Sequence, residues 1–297
     1  MWVRSSTQIG DHSVQVACVA TSHLVVGADI AALVDAGLSA EHERLIAGVK
    51  GVLEELNLEY VFLTHISFDH VGGLPYLRRA FPGLKVFGSP ASAELLTDKA
   101  LLKQMYDQNR DCADAMQVEF KETFAEWSAG IKIDQIVRDG DSVAIGDGVE
   151  VKVIAVPGYS KDAHAYFILP DSALAAGHAF GDFGGRDKIF FAFKDSLTDF
   201  VASLDKMSQL ALKAVQMPHS GALTGDLANR SLFRLREDVL KFQAQVKERA
   251  ANGELTDDIF SNVYAEWLEL GMVPDGPFVE SSKSSLRRMI EIISQSH

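Results

Sequence analysis

Apolar residues follow two rhythms along this chain. Ser13 to Ala20 and Leu24 to Val26 are short β-branched runs, and Ala32 to Gly37 reads as a buried strand closing in a turn. From about Glu41 to Leu56 the spacing changes, and Leu45, Ile46, Val49, Val52, Leu53 and Leu56 recur with helical period. Tyr60-Val61-Phe62-Leu63 is a fully apolar strand that runs directly into Thr64-His65-Ile66-Ser67-Phe68-Asp69-His70-Val71-Gly72-Gly73. Pro75 suits the first turn of a new helix, and Lys85 to Gly88 makes another short strand. This β–α–β–α–β alternation predicts a sheet covered by helices, an α/β fold.

Residues 91–127 read as helical and rich in bulky apolar groups, a candidate cap over a site or an ordinary surface helix pair. Strands return from Ile131 to Leu169 and at Ala173 to Ala176, broken by glycine-rich turns. Leu197 to Leu210 is an amphipathic helix, and Val215 to Met217 a short strand. After Thr224 only helical patterns remain. The division expected is an α/β body over residues 1–225, with a helical insert at about 91–127, and an all-helical extension over 226–297 packed on it.

Composition narrows the class of function. The 297 residues carry 28 Lys+Arg and 41 Asp+Glu, a net charge of −13, which argues against a general nucleic-acid or anionic-membrane surface. No apolar run approaches the roughly 20 residues of a membrane helix. Two cysteines, Cys18 and Cys112, cannot build a disulfide framework and fit a reducing, cytoplasmic setting, with nothing near the N-terminus reading as a leader.

The nine histidines are more informative. Polar residues gather at the ends of apolar strands, where loops of α/β folds converge on ligands. His65, Ser67, Asp69 and His70 follow one strand, Tyr159 a second, His178 a third and His219 a fourth. Imidazole and carboxylate are the usual ligands of zinc, manganese and iron. His164 reads as a neutral histidine at a strand start. His12, His23, His42 and His297 have no such context. Gly72, Gly73, Gly177 and Gly221 are expected in tight turns, and Gly184-Gly185-Arg186 in a mobile loop at the rim.

The segment Thr64 to Gly73 resembles the Thr-His-x-His-x-Asp-His signature of the metallo-β-lactamase superfamily. Four further elements resemble that family in the same order: Ala32 to Gly37, Pro157-Gly158-Tyr159-Ser160, Ala176-Gly177-His178-Ala179 and Pro218-His219-Ser220-Gly221. The resemblance covers about residues 10–225 and implies an αββα sandwich. The helical insert and the tail from Ser285 to Ile293 are most similar to PqsE-type members, the 2-aminobenzoylacetyl-CoA thioesterases.

Departures from the signature shape the expected site. The positions of the family's first metal site hold His65, Ser67 and Tyr159. Serine ligates divalent ions poorly, and tyrosine must first lose a proton with a reference pKa of ~10. The second-site positions hold Asp69, His70 and His219, and His178 stands in the bridging aspartate position. The resemblance therefore implies one divalent ion (zinc, iron or manganese) held by Asp69, His70, His178 and His219. Asp69, His65 and Tyr159 become the catalytic candidates: Asp69 to orient water, His65 as general base and Tyr159 as hydrogen-bond donor to an oxyanion. The function implied is hydrolysis of an ester-like bond, a thioester or phosphoester of a small molecule such as an acyl- or aroyl-thioester. Met105, Met116, Phe120 and Phe124 would cover the apolar group, and Lys103, Arg110, Arg186 or Lys188 would meet an anionic part. A degenerate ligand-binding or regulatory protein of the same fold is the alternative, and a mononuclear-iron redox enzyme a second. No nucleic-acid or membrane partner is expected; a homodimer is left open.

Overall fold

The computed structural model describes residues 1–185, 188–271 and 279–295. The first half of the chain runs β1 (Trp2–Val3), β2 (Thr7–Gln8), β3 (Ser13–Val16), β4 (Ser22–Val26), β5 (Ile30–Val34), α1 (His42–Leu53), β6 (Asn57–Phe62), α2 (Phe68–Val71), α3 (Leu74–Ala80) and β7 (Lys85–Gly88). Next come α4 (Pro90–Leu95), α5 (Lys99–Ala115), α6 (Phe124–Gly130), β8 (Gln135–Ile136), β9 (Ser142–Gly146), β10 (Val149–Ala155), β11 (His164–Leu169) and β12 (Ala173–Ala175). The remainder is β13 (Asp182–Gly185), β14 (Lys188–Phe190), α7 (Leu197–Met207), β15 (Ala214–Met217), β16 (Gly221–Thr224), α8 (Asp226–Ala251), α9 (Thr256–Glu269) and α10 (Val279–Gln295).

Two seven-stranded sheets result, ordered β2-β3-β4-β5-β6-β7-β8 and β1-β16-β15-β12-β11-β10-β9. The first is antiparallel through β5 and parallel from β5 to β8, because α1, then α2 and α3, then α4 to α6 carry the chain back between successive strands. In the second, β12 and β15 run parallel and bring His178 and His219 to the same edge of the sandwich.

Three apolar layers follow from strand alternation. Val25, Val34, Phe62, Val151, Val153 and Tyr166 fill the seam between the sheets. Leu24, Leu33 and Val61 face α1, α3, α5 and α6. Leu174, Val215 and Leu223 face α7 to α10, packing with Phe200, Leu235 and Met289. The architecture is the αββα sandwich with a helical C-terminal region that the resemblance implied. No helix among the described residues is long and apolar enough to cross a membrane.

Local differences have local causes. The stretch 91–127, expected to be helical, holds three helices, α4 to α6. α5 is capped by the Asp98 carboxylate, ends at Met116, and is followed by Gln117 with φ +58. A Thr123–Glu126 capping box then starts α6. The ribbon β13–β14 lies where glycines hide any alternation. Next to it, Phe190 and Phe191 pack against Trp267, fastening the C-terminal helices to the body. Arg186, like His297, lies outside the described residues.

Candidate metal centre

Each ligand candidate sits where an apolar strand stops. β6 ends at Phe62, and within six residues the chain has turned through Ser67, the N-cap residue, into the single turn of α2. That turn places Asp69 and His70 side by side, both buried. His178 lies in a 3₁₀ turn (Gly177–Ala179) just after β12, and His219 lies between β15 and β16. One ligand atom from each of Asp69, His70, His178 and His219 lies within 4.8 Å of every other. The hub is Asp69 Oδ2, with Nε2 of His219 at 3.1 Å and Nε2 of His70 and His178 at 3.7 Å each.

Two of the rings are aimed by their far nitrogens. His70 Nδ1 donates to Asp35 Oδ2 at 2.8 Å, which leaves Nε2 as a lone pair with no hydrogen-bond partner in a buried position. His219 Nδ1 lies 3.1 Å from the Val19 carbonyl, and its backbone N–H donates to Asp182 Oδ1. Such outer partners fix tautomer and orientation in metal-ligating histidines. The other oxygen of Asp69 accepts a hydrogen bond from Ser67. Three imidazoles, one carboxylate and an unpartnered inward lone pair form a donor set suited to zinc, iron or manganese.

Asp35 also accepts from the backbone and hydroxyl of Thr64. With its proton committed to Asp35, the Thr64 hydroxyl accepts from His65 Nδ1 at 3.1 Å. The Nε2 lone pair of His65 is thereby left buried and without a partner. Gly177 makes this possible: its φ is +50, and a Cβ there would come within 2.6 Å of Thr64 Oγ1. Gly72 and Gly73 lie in the turn between α2 and α3. Both have helical φ values, and a Cβ on Gly73 would stand 2.1 Å from the Ala36 carbonyl oxygen.

Electrostatics sort the histidines. Burial opposes charge on His219, but Asp182 and Asp69 outweigh it and hold the ring up at about 9. The same contest at His70, with Asp35 and Asp69, also ends in an upward shift. Burial wins at His178, pushed down to about 4, and at His65, where the neighbouring His70 and His178 add to it. Burial would raise Asp69, but His70 and the hydrogen bonds from His178 and His219 hold it well below the usual carboxylate range.

Two cavities open on this group. The inner one, about 220 Å³, is walled by Phe68, Leu101, Met105 and Phe190 and reaches Asp69, His178 and His219. The outer one, about 640 Å³, reaches His65 and is bordered by Glu94, Asp98, Asp162 and Asp195. Tyr159, buried and stacked on His178 at 4.6 Å, lines both. Of the four expected apolar cover residues, Met105 alone lines one of these two cavities. Phe120 and Phe124 pack around Tyr106, and Met116 joins the core beneath the insert. Lys103 and Arg110 pair with Asp107, and neither they nor Lys188 border either of these two cavities. Lys161 borders the outer cavity, and Lys194, which no sequence motif marks, borders both. Asp35 carried a visible signal, a carboxylate at the tip of a buried strand. His164 begins β11, as expected, and burial lowers its pKa.

Comparison with known proteins agrees with this architecture. The Beta-lactamase-like protein 2 homolog of Caenorhabditis elegans is 26% identical over 241 residues, 79% of this chain and 67% of its own length. A Hydroxyacylglutathione hydrolase of Photobacterium profundum is 28% identical, covering 65% of this chain and 64% of that protein. The Atrochrysone carboxyl ACP thioesterase of Pseudocercospora fijiensis is 24% identical, covering 72% of this chain and 53% of that protein. The chain thus spans from about half to two thirds of the length of these relatives. Among solved structures, a metallo-beta-lactamase family protein of Thermus thermophilus superposes with a TM-score of 0.58 at 19% identity. That likeness covers 92% of this chain and 88% of the other, and it speaks to the fold alone. The profile of the Metallo-beta-lactamase superfamily matches residues 16–219, and the chain belongs to that superfamily.

Proposed function

We propose that the protein is a metal-dependent hydrolase of a small-molecule thioester, working with a single divalent ion held by Asp69, His70, His178 and His219. The ring of three imidazole Nε2 atoms around one oxygen of Asp69 carries this reading. A divalent ion bound there supplies Lewis acidity and brings the pKa of water toward ~7. Residues 1–225 form the catalytic body in this reading. The extension 226–297 contributes Ser282 and Ser285 of α10 to the wall of the inner cavity.

The chain's own groups supply the rest. The inner cavity falls below the roughly 300–1,000 Å³ of drug-sized pockets and suits a small acyl or aroyl group. The two relatives named as a hydrolase and a thioesterase support the reaction class. Asp69 orients the attacking water. His65, neutral at pH 7 and with Nε2 unpartnered, accepts its proton and returns it to the departing sulfur in the outer cavity. The net reaction is thioester plus water to carboxylic acid plus thiol.

The test is metal analysis of the purified protein together with a thioester panel before and after chelation. One ion per chain is expected, with turnover lost to the chelator and restored by zinc, iron or manganese. Two ions per chain, or turnover indifferent to chelation, would overturn the reading.

A further inference from the structure

Ile66, Ser67, Tyr159 and Lys194 border both cavities, whereas Asp69, His178 and His219 border only the inner one and His65 only the outer. A ligand spanning both cavities must therefore thread a neck made by these four residues. Lys194 is fixed there from two sides. Its backbone N–H donates to the Tyr159 carbonyl at 3.0 Å, and its own carbonyl accepts from Arg288 Nε at 3.1 Å. Its Nζ stands 4.8 Å from the centre of the Tyr159 ring. Among the described residues no carboxylate forms an ion pair with it. Burial strips hydration from this ammonium, but the Tyr159 side chain and the field of Asp69 outweigh that and hold it in its charged form. What it offers is a preorganised positive charge at the neck.

We propose that Lys194, seconded by the Tyr159 hydroxyl, is a catalytic residue that stabilises the oxyanion formed as water adds to the carbonyl at the neck. This rests on the hydrolase reading. As the C–O bond to water forms, the carbonyl π pair moves onto oxygen beside Lys194 Nζ. When that pair returns, the C–S bond breaks and sulfur leaves with its electrons into the outer cavity. Lys194 keeps its proton throughout and acts by charge alone.

The experiment compares wild type, Lys194→Met and Lys194→Arg as the metal-loaded full chain. Calorimetry measures binding of phenylphosphonate, a tetrahedral anion, and of benzamide, a neutral planar amide. In Lys194→Met, phosphonate affinity should fall about 30-fold and benzamide affinity less than about twofold, with metal content unchanged. Lys194→Arg should recover part of the loss. With S-benzoyl-N-acetylcysteamine as substrate, kcat of Lys194→Met should fall about 100-fold, the scale of one oxyanion donor, with KM within about threefold. Unchanged phosphonate affinity would overturn the proposal. So would loss of metal, or equal weakening of both ligands, since either marks a structural lysine. If wild type cleaves no thioester, the hydrolase reading fails while the phosphonate comparison still reports on Lys194.

Discussion

Two buried polar clusters, one built on three histidines and the other on His23 alone, lie at opposite ends of strand β12. After its last residue comes His178, joined to Asp69, His70 and His219. Before its first residue comes Asp171, whose field acts on His23 in β4 of the facing sheet. Burial alone does not distinguish them, for His23 is as inaccessible as His70. The difference is in the far nitrogens. At the first cluster, Asp35 and the Val19 carbonyl anchor the rings of His70 and His219, so the near nitrogens converge on one point. At the second, neither nitrogen of His23 has a hydrogen-bond partner, and Ser13 Oγ, Gln15 Oε1 and Asp171 Oδ1 are likewise buried and unpartnered. The first is a candidate ligand set with oriented donors. The second is a cost in stability carried inside the sandwich.

The largest test removes a ligand. His219→Ala should abolish binding of the divalent ion and lower turnover by roughly three orders of magnitude, comparable to losing a strong electrostatic stabiliser. His23→Gln should leave both unchanged. Metal analysis and thioester turnover on the two variants check this, and a metal deficit in His23→Gln would erase the distinction between the clusters.

Acid stability reverses the ranking. Burial lowers the His23 pKa to about 4, against 6.5 for the exposed ring. Between those values the unfolded chain binds more protons, so His23 destabilises the fold increasingly as pH falls from 6.5 and saturates below about 4. The span corresponds to roughly 3 kcal/mol. Urea unfolding at pH 7 and pH 4 should show His23→Gln losing about 3 kcal/mol less than wild type over that interval. Equal losses would show that His23 is protonated in the folded state.

Asp35 sharpens the first cluster further. Asp35→Asn keeps the shape but weakens the hydrogen bonds that aim His70 and lock Thr64. Metal affinity, measured by competition with a chelator, should fall by about 10- to 100-fold.

Legibility in the sequence follows the same division. His65, Asp69, His70, Tyr159, His178 and His219 all stand just past apolar runs, and strand ends of two facing sheets converge, so spacing along the chain translated into proximity. The three layers were equally readable, because β-branched runs and the helical spacing of α1 carry different periods. Lys194 was not readable. It comes to the neck through the ribbon β13–β14 and the turn into α7, where glycines and consecutive phenylalanines show neither period. The break in the insert was hidden as well, since Met116, Phe120 and Phe124 are apolar for packing around Tyr106 and Trp127 rather than for helical phase.

The smallest effect concerns the leaving group, and it sets the outer cavity against the inner. Glu94, Asp98, Asp162 and Asp195 border the outer cavity against Lys161 and Lys194, an excess of carboxylates on a protein that is already acidic. A carrier with several phosphates, such as coenzyme A, meets repulsion there, whereas a neutral N-acetylcysteamine thioester does not. With the acyl group held constant, kcat/KM should favour the neutral carrier by about tenfold at low salt, since like charges brought together cost affinity and encounter rate. The preference should shrink in 1 M salt, where the screening length drops to about 3 Å from about 10 Å at 0.1 M. A preference for the coenzyme A thioester that weakens with salt would mean that lysines, not carboxylates, govern the groove, and would move the reading toward a coenzyme A thioesterase.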